Sequence, residues 1–197
     1  MLARQASAFR ACGAVGCRFA PAGLDPVSNI SRFGRKVPEG DTHERLVCGD
    51  CGYIQYDNPK VIAGVVPIYE GKVLLCTRAI KPRVGFWTVP AGFLELGESP
   101  AEGAARESVE EANAVIEVGD LIGVYTIRHI GQIQMFYRGT LATPKFSAGE
   151  ESLEVKLFAW EDIPWDELAF PTIKWALRDY ERNKNQEVAT PGSRAVE

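Results

Sequence analysis

The segment Gly92-Phe-Leu-Glu-Leu-Gly-Glu-Ser-Pro-Ala-Glu-Gly-Ala-Ala-Arg-Glu-Ser-Val-Glu-Glu111 decides the fold of this 197-residue chain. Its second half has the signals of a helix, because Ser99 is a favoured N-cap residue and Pro100 suits the first helical position. Glu102 stands three residues after Ser99 and completes a capping box. The pattern predicts a helix that begins at Pro100 and ends near Ala112.

Three glutamates share one face of this predicted helix. Glu107, Glu110 and Glu111 stand at positions i, i+3 and i+4, so their carboxylates are neighbours. Like charges at this spacing weaken a helix unless a cation neutralises them, and clustered carboxylates suit Mg²⁺, with Mn²⁺ as the alternative. Mg²⁺ also binds phosphate oxygens, which suits the hydrolysis of a diphosphate. Taken alone, three glutamates are more typical of a solvated acidic face.

The residues that flank the glutamates favour the metal site over the solvated face. Gly92, Glu98 and Arg106 extend the pattern to G-x5-E-x7-R-E-x-x-E-E. With average residue usage, six fixed positions match by chance on the order of once in 10⁵ chains of this size. The spacing therefore indicates a dedicated site.

This segment resembles the Nudix box, the signature of a hydrolase family. The resemblance implies four metal-binding positions, which are the Gly92 carbonyl and the carboxylates of Glu107, Glu110 and Glu111. It implies a catalytic set that consists of Glu98, Arg106, Glu110 and Glu111, in which Arg106 holds Glu98 in a structural ion pair. The implied fold is of the α/β class, an α/β/α sandwich with a mixed central sheet, preceded by a small zinc-ribbon-like hairpin.

Three positions of the box depart from the family pattern. The family has a bulky aliphatic residue where Ser108 stands, a glycine at Asn113 and an aliphatic residue at Ala114. Asparagine tolerates the left-handed conformation that ends many helices, so Asn113 is expected to take that position. None of the three departures removes a metal ligand.

The resemblance extends from about residue 36 to residue 182. Val37-Pro-Glu-Gly-Asp41, Cys48-x-x-Cys51-Gly52 and Tyr56-x-Asn58-Pro59-Lys60 are similar to a subgroup with an N-terminal zinc ribbon. Plant hydrolases that act on FAD and ADP-ribose are similar in this stretch. The resemblance therefore implies hydrolysis of a nucleoside diphosphate linked to another moiety, such as ADP-ribose, FAD or a related dinucleotide.

The sequence does not decide whether the ribbon binds zinc. A structural zinc site needs four ligands, and Cys48 and Cys51 supply two of them. The subgroup's other pair is missing just before Val37, while Cys12 and Cys17 lie about 30 residues upstream of Cys48. His43 is a further candidate ligand. The alternatives are a ribbon that holds zinc and a hairpin that has lost it.

The catalytic base and the substrate contacts are less sharply marked. Glu150, Glu151 and Glu154 lie near a later strand and are candidate bases, while Glu111 acting on a metal-bound water is the alternative. Several aromatic and basic residues are candidates for stacking on a base or flavin ring or for binding phosphate: Phe86, Trp87 and Arg78 first, then Tyr125, Phe136, Arg83 and Arg128. Each of these also has an ordinary structural interpretation as a core or surface residue.

Hydrophobic periodicity predicts the remaining elements. Strands are expected over residues 61–69, 72–77, 115–128, 132–142 and 155–160, and a second helix over 172–182. Residues 38–59 have the composition of turns and loops. The predicted organisation is a leader over residues 1–35, a ribbon-like segment over 36–59, a Nudix domain over 60–183 and a disordered tail over 184–197.

Composition limits the classes of partner and compartment. The net charge is −4, which disfavours general nucleic-acid binding, and no apolar run is long enough for a membrane span. Five cysteines are too few for a disulfide scaffold, which favours a reducing, cytoplasmic compartment. The first 24 residues are rich in arginine and free of acidic residues, so an organellar targeting peptide is the alternative. The family resemblance adds a homodimer as an expectation.

Two other functions remain as alternatives to the linked-diphosphate hydrolase. One is a pyrophosphohydrolase that removes damaged nucleoside triphosphates, with a small-molecule nucleotide again as the substrate. The other is a non-catalytic nucleotide-binding module, which the complete set of ligand glutamates disfavours.

Overall fold

A computed structural model describes residues 32–186 and 190–196. The chain divides into two compact units, one that ends at Asn58 and one that begins at Pro59. Residues 1–31 of the expected leader, with Cys12 and Cys17, lie outside the described residues. No helix in the described ranges is long and apolar enough to cross a membrane.

The first unit contains a small antiparallel sheet of three strands in the order β1-β2-β3. Its strands are β1 (Phe33–Lys36), β2 (Arg45–Cys48) and β3 (Ile54–Gln55). Asp41 orders the β1–β2 turn, because its carboxylate accepts from the Thr42 N–H at 2.7 Å and from Arg45 Nε at 3.1 Å. The segment expected to consist of turns therefore contains two short strands.

The second unit is built on an eight-stranded sheet. Its strands are β4 (Lys60–Tyr69), β5 (Lys72–Arg78), β6 (Trp87–Thr88), β7 (Ala91–Phe93), β8 (Ile116–Ile127), β9 (Gln132–Leu141), β10 (Ser152–Phe158) and β11 (Gly192–Val196). The order is β10-β5-β4-β9-β8-β11, with β6 beside β5 and β7 beside β4. Two pairs, β4 with β9 and β8 with β11, are parallel and the others antiparallel, so the sheet is mixed as expected.

Two helices cover the two faces of this sheet: α1 (Pro100–Ala112) and α2 (Pro171–Asn183). Ala104 of α1 packs with Ala63 and Val65, whereas Val66 belongs to the core cluster that contains residues of α2. Successive strand residues point to opposite faces, so the helices lie on opposite sides of β4. The α/β/α sandwich expected from the sequence is confirmed.

Strands β4 and β5 separate after a short stretch of pairing. Ile68 pairs with Val73 and Tyr69 with Lys72, on the two sides of a turn in which Glu70 and Gly71 have positive φ. Further along, β7 takes the place beside β4 and β6 the place beside β5. This opening in the sheet is where α1 presents its acidic face.

The C-terminal tail differs from the expected disordered segment. Gly192–Val196 forms β11, which runs parallel to β8, and Arg194 forms a bidentate ion pair with Asp179 of α2 at 2.6 and 2.9 Å. These partners are distant in sequence, so the local polar composition could not predict them. The boundaries of β10 also differ, since it begins at Ser152 and ends at Phe158.

Candidate active site

Helix α1 begins and ends as its sequence predicts. The Ser99 side chain accepts from the Glu102 N–H at 3.3 Å, and the Glu102 carboxylate accepts from the Ser99 N–H at 2.7 Å. Asn113 follows the helix in the left-handed conformation, with φ of 47°. These caps fix the register in which the helix presents its glutamates.

Arg106 and Glu98 form the expected ion pair. The guanidinium donates through Nη2 and Nε to the two carboxylate oxygens at 2.7 and 3.1 Å, and Nη2 also donates to the Phe93 carbonyl at 3.0 Å. The hydrogen bonds from Arg106, followed by that from the Glu95 N–H, lower the pKa of Glu98 to about 2. The pair therefore holds the loop after β7 against the helix.

The same guanidinium reaches two of the predicted metal ligands. Arg106 Nη1 donates to Glu107 at 2.8 Å and to Glu110 at 2.9 Å. Within residues 32–186 and 190–196, no three His, Cys, Asp or Glu side chains converge into a ready cation cage. The arginine thus occupies the position between two carboxylates that the sequence assigns to a cation.

Glu111 is the third carboxylate of the face. It is 6% exposed, and one of its oxygens accepts from the Ala91 N–H at 3.3 Å. Burial, followed by the nearby charge of Glu107, raises the pKa of Glu111 to about 7. The pKa of Glu107 is also raised, chiefly by burial. Two buried acidic groups with raised pKa values are a common mark of a functional site.

Gly92 lies against the carboxylate of Glu107. A Cβ at this position would occupy the space of the Glu107 carboxylate atoms, so only glycine allows so close an approach. Gly92, Glu107, Glu110 and Glu111 line one cavity. Carboxylate and carbonyl oxygens are the ligands that Mg²⁺ and Mn²⁺ prefer, so this donor set fits a hard divalent cation.

A fourth carboxylate, that of Glu151, faces this cluster. The Gly149 N–H donates to the Glu111 carbonyl at 3.0 Å, and the Ala79 N–H donates to the Glu151 carbonyl at 2.8 Å. The segment is therefore held between α1 and the end of β5. The charge of Glu151 contributes to the raised pKa values of both Glu107 and Glu111, which reflects its proximity to them.

The other two candidate bases are placed differently. Glu150 lines the same cavity as Glu151. Glu154 lies on β10 opposite Thr77, is exposed, and does not line the cavity. The structure thus separates Glu151 from Glu154, which the sequence left equivalent.

The cavity has a volume of about 1270 Å³, and apolar side chains line it as well as the carboxylates. Arg78 is close to both kinds of residue, because its charge acts on the pKa of Glu111 and its guanidinium lies 5.3 Å from the centre of the Phe170 ring. Its Nε donates to the Pro82 carbonyl at 2.8 Å. Phe170 was not a sequence candidate, because an aromatic residue before a helix carries no chemical signal. Arg78 also lines the cavity, and its contact with phosphate stays a prediction.

The aromatic candidates are less well placed. Trp87 is 8% exposed and packs edge-on against Phe158 at 4.8 Å, so it is a core residue. Phe86 lies under Arg83 at 5.1 Å, and neither Phe86 nor Trp87 lines the cavity. The strand β6 thus turns Trp87 into the core, and stacking of these two residues on a substrate stays a prediction.

The two remaining aromatic candidates also have different positions. Tyr125 is fully buried and donates to Asp179 at 2.8 Å. Phe136 is buried but lines the cavity, together with Gln132 and Gln134 of the same strand. The sequence analysis did not single out the glutamines, although two polar residues that alternate with apolar ones at the start of a strand are a usable signal.

Cys48 and Cys51 form the described part of the ribbon site. Backbone N–H groups of Cys51 and Asp50 lower the pKa of the Cys48 thiol, while the Gly52 N–H donates to the Cys48 carbonyl at 3.0 Å. The other cysteine pair considered for zinc, Cys12 and Cys17, lies outside the described residues.

Comparisons with known proteins agree with this geometry. A sequence profile described as the NUDIX domain matches residues 58–177, and a zinc-ribbon profile described as Nudix N-terminal matches residues 31–57. An ADP-ribose pyrophosphatase of Methanocaldococcus jannaschii is 30% identical over 139 residues, which cover 68% of this chain and 79% of that protein.

Two further proteins are similar to this chain. The NAD-capped RNA hydrolase NudC of Salmonella heidelberg is 26% identical over 141 residues, which cover 66% of this chain and 51% of NudC. The crystal structure of a NUDIX hydrolase from Nitrosomonas europaea superposes with a TM-score of 0.79 at 44% identity, covering 83% of this chain and 93% of that one.

Proposed function

The chain belongs to the NUDIX family of hydrolases, and we propose that it is a Mg²⁺-dependent diphosphatase that splits ADP-ribose, FAD or a related dinucleotide into two monophosphates. The observation that carries the proposal is one cavity whose lining includes the carboxylates of Glu107, Glu110, Glu111 and Glu151, the guanidinium of Arg78, and apolar side chains such as Phe136, Phe170 and Ile173. A cation and a phosphate group fit the carboxylates and Arg78, and an organic ring fits the apolar side chains.

The carboxylates divide into two roles. Glu107, Glu110 and Glu111, with the Gly92 carbonyl, would hold the cation, with Mn²⁺ as the alternative to Mg²⁺. When bound, such a cation neutralises phosphate charge and lowers the pKa of a coordinated water. When no cation is bound, Arg106 neutralises the glutamates, and it is joined to Glu98 through two hydrogen bonds.

Glu151 is the residue that we assign as the general base. It faces the cluster from a segment held at both ends, so its carboxylate can take a proton from water that attacks phosphorus. The water oxygen forms a new bond to one phosphorus, and the bond from that phosphorus to the bridging oxygen breaks. The other phosphate leaves with the bridging oxygen, and Arg78 is placed to bind its charge.

The size of the cavity supports a two-part substrate. Pockets of about 300–1,000 Å³ accommodate most drug-sized ligands. The volume of about 1270 Å³ exceeds that range and suits two moieties joined by a diphosphate. The similarity to an archaeal ADP-ribose pyrophosphatase supports the same class. A small-molecule nucleotide is therefore the proposed ligand.

The test is a substrate panel with purified full-length protein and Mg²⁺ or Mn²⁺. The panel contains ADP-ribose, FAD, NADH and oxidised nucleoside triphosphates, and products are identified by mass. We expect two monophosphates from at least one linked diphosphate. The activity of Glu111→Gln should be lower by a factor of roughly 100 or more. Glu117→Gln, which changes an exposed glutamate on β8, is the matched control and should retain activity.

Each other outcome of the panel assigns a different function. Pyrophosphate release from triphosphates alone would assign the triphosphate pyrophosphohydrolase. Tight binding of nucleotides without any product, in both metals, would assign the non-catalytic module. Equal activity in Glu111→Gln and Glu117→Gln would reject the proposed site.

A further inference from the structure

Two glutamines stand on the cavity side of β9. Gln132, Gln134 and Phe136 alternate along the strand, so their side chains share one face of the sheet, and all three line the cavity. Gln134 is only 8% exposed. Its neighbours across the sheet are Ile62 on β4 and Tyr125 on β8. A polar side chain is thus buried in surroundings that are otherwise mainly apolar.

The two glutamines are joined by a hydrogen bond. Gln134 Nε2 donates to Gln132 Oε1 at 3.2 Å, which fixes the amide groups relative to each other. The pair retains one carbonyl oxygen, that of Gln134, and the amide hydrogens of Gln132 for other partners.

Apolar side chains enclose this polar pair. Ile127 is opposite Gln132 on β8, and Phe136 lies next along β9. Phe170 and Ile173, at the start of α2, line the same cavity. Arg78 lies over the Phe170 ring and lines the cavity together with the carboxylate cluster. A flat ring can therefore contact apolar walls while its edge meets the glutamines.

We propose that Gln132 and Gln134 bind the edge of an adenine ring, so that the adenylate half of the substrate occupies this end of the cavity. Adenine presents an amino donor beside a ring-nitrogen acceptor, which a glutamine amide complements through two hydrogen bonds. This inference rests on the proposed function, because the diphosphate must lie between the adenine and the second moiety. The other moiety then lies away from β9.

Hydrolysis of paired substrates tests the adenine assignment. The substrates are ADP-ribose and its 1,N⁶-etheno analogue, which keeps the diphosphate and the flat ring but loses the amino hydrogens. The native protein should prefer ADP-ribose by roughly tenfold in kcat/KM. In Gln134→Met, which keeps the side-chain length, KM for ADP-ribose should rise roughly tenfold with kcat little changed, and the preference should disappear.

Gln55→Met, on an exposed position of β3 in the first unit, is the matched control and should keep the preference. Equal losses for both substrates in Gln134→Met, or no preference in the native protein, would overturn the assignment. A thermal unfolding scan of each variant shows whether the fold is retained.

Binding of products separates this inference from the proposed function. AMP, etheno-AMP and FMN are titrated into the native protein by calorimetry, which requires no hydrolysis. AMP should bind more tightly than the other two, and Gln134→Met should weaken AMP by roughly tenfold. If the protein hydrolyses the substrates but does not prefer AMP, only the adenine site is overturned. If it prefers AMP but hydrolyses nothing, only the diphosphatase is overturned. Tighter binding of FMN than of AMP would assign this end to the flavin.

Discussion

At the scale of single residues, Glu111 places a carboxyl group where its charge is unfavourable without a cation. Its pKa is raised from the usual 4.5 to about 7, first by burial and then by Glu107. Between these values the unfolded chain releases a proton that the folded protein retains. The contribution of Glu111 to the stability of the metal-free protein therefore falls as pH rises from about 4.5 to 7, and stays at its lower level above that.

Replacing Glu111 by glutamine removes this cost. We expect metal-free Glu111→Gln to be more stable than the native protein at pH 8 by about 3 kcal/mol, and no more stable at pH 4.5. Urea denaturation in EDTA at the two pH values measures the difference. The same substitution should abolish hydrolysis in Mg²⁺. A variant that is less stable at pH 8 would contradict the raised pKa.

Glu151 and Glu154 give the sharpest test of the base. Glu151→Gln should lower kcat by a factor of about 10² or more and remove the acidic limb of the kcat profile against pH, because a proton acceptor is lost. Glu154→Gln is the matched control, since its carboxylate lies outside the cavity, and should keep both rate and profile. Full activity in Glu151→Gln would move the base role to Glu111.

At the scale of elements, the sequence predicts α1 well because its signals are local. Ser99 and Glu102 fix the start of the helix, and the Asn113 N–H closes its end on the Ser108 and Val109 carbonyls, so these contacts span five residues or fewer along the chain. The spacing of the glutamates then follows from the helical repeat. The sequence could not single out Glu151 among the three candidate bases or predict the burial of Trp87, because these depend on how a loop packs against α1 and on which face β6 turns inward.

The C-terminal end of α1 also carries the loop of the proposed base. Asn113 Nδ2 donates to the carbonyls of Ser147 and Ala148 at 3.3 and 3.2 Å and contacts the Ser147 hydroxyl at 3.1 Å. The Ser147 N–H donates to the Ala112 carbonyl at 2.9 Å. The asparagine that replaces the family's glycine thus links the helix to the segment that leads to Glu151.

Asn113→Gly separates this link from the helix cap. Glycine favours the left-handed conformation, so the free energy of unfolding should change by less than about 1 kcal/mol despite the lost hydrogen bonds. The loop loses its anchor, and kcat should fall roughly tenfold with KM little changed. In a Glu151→Gln background the substitution should have no further effect. Equal effects in both backgrounds would show that Asn113 acts elsewhere.

At the scale of the second unit, the sheet order and the C-terminal strand depend on contacts between distant segments. The hydrophobic periodicity predicts most strands, but not that β9 lies parallel between β4 and β8. It also predicts no strand at residues 192–196, because Pro191 and Gly192 suggest a turn and Ser193 is polar. The ion pair between Arg194 and Asp179 of α2 is visible only in the fold.

Through Asp179, the strand β11 contributes to the stability of this unit. Its carboxylate is fully buried and binds Tyr125, Arg182 and Arg194. Arg194→Leu leaves the charge with two partners instead of three and frees the strand, so we expect a loss of about 2 kcal/mol in the free energy of unfolding. Urea denaturation measures it.

Arg194→Lys distinguishes the bidentate ion pair from simple charge balance. Lysine keeps the positive charge but cannot donate to both oxygens of Asp179 in a planar fork, so this variant should lose about half as much stability as Arg194→Leu. Ser193→Ala, at an exposed position on the same strand, should be unchanged within about 0.5 kcal/mol. Because none of these residues lines the cavity, KM and kcat should persist in all three variants below their unfolding temperatures. A selective loss of activity in Arg194→Leu, with stability intact, would instead connect β11 to the site.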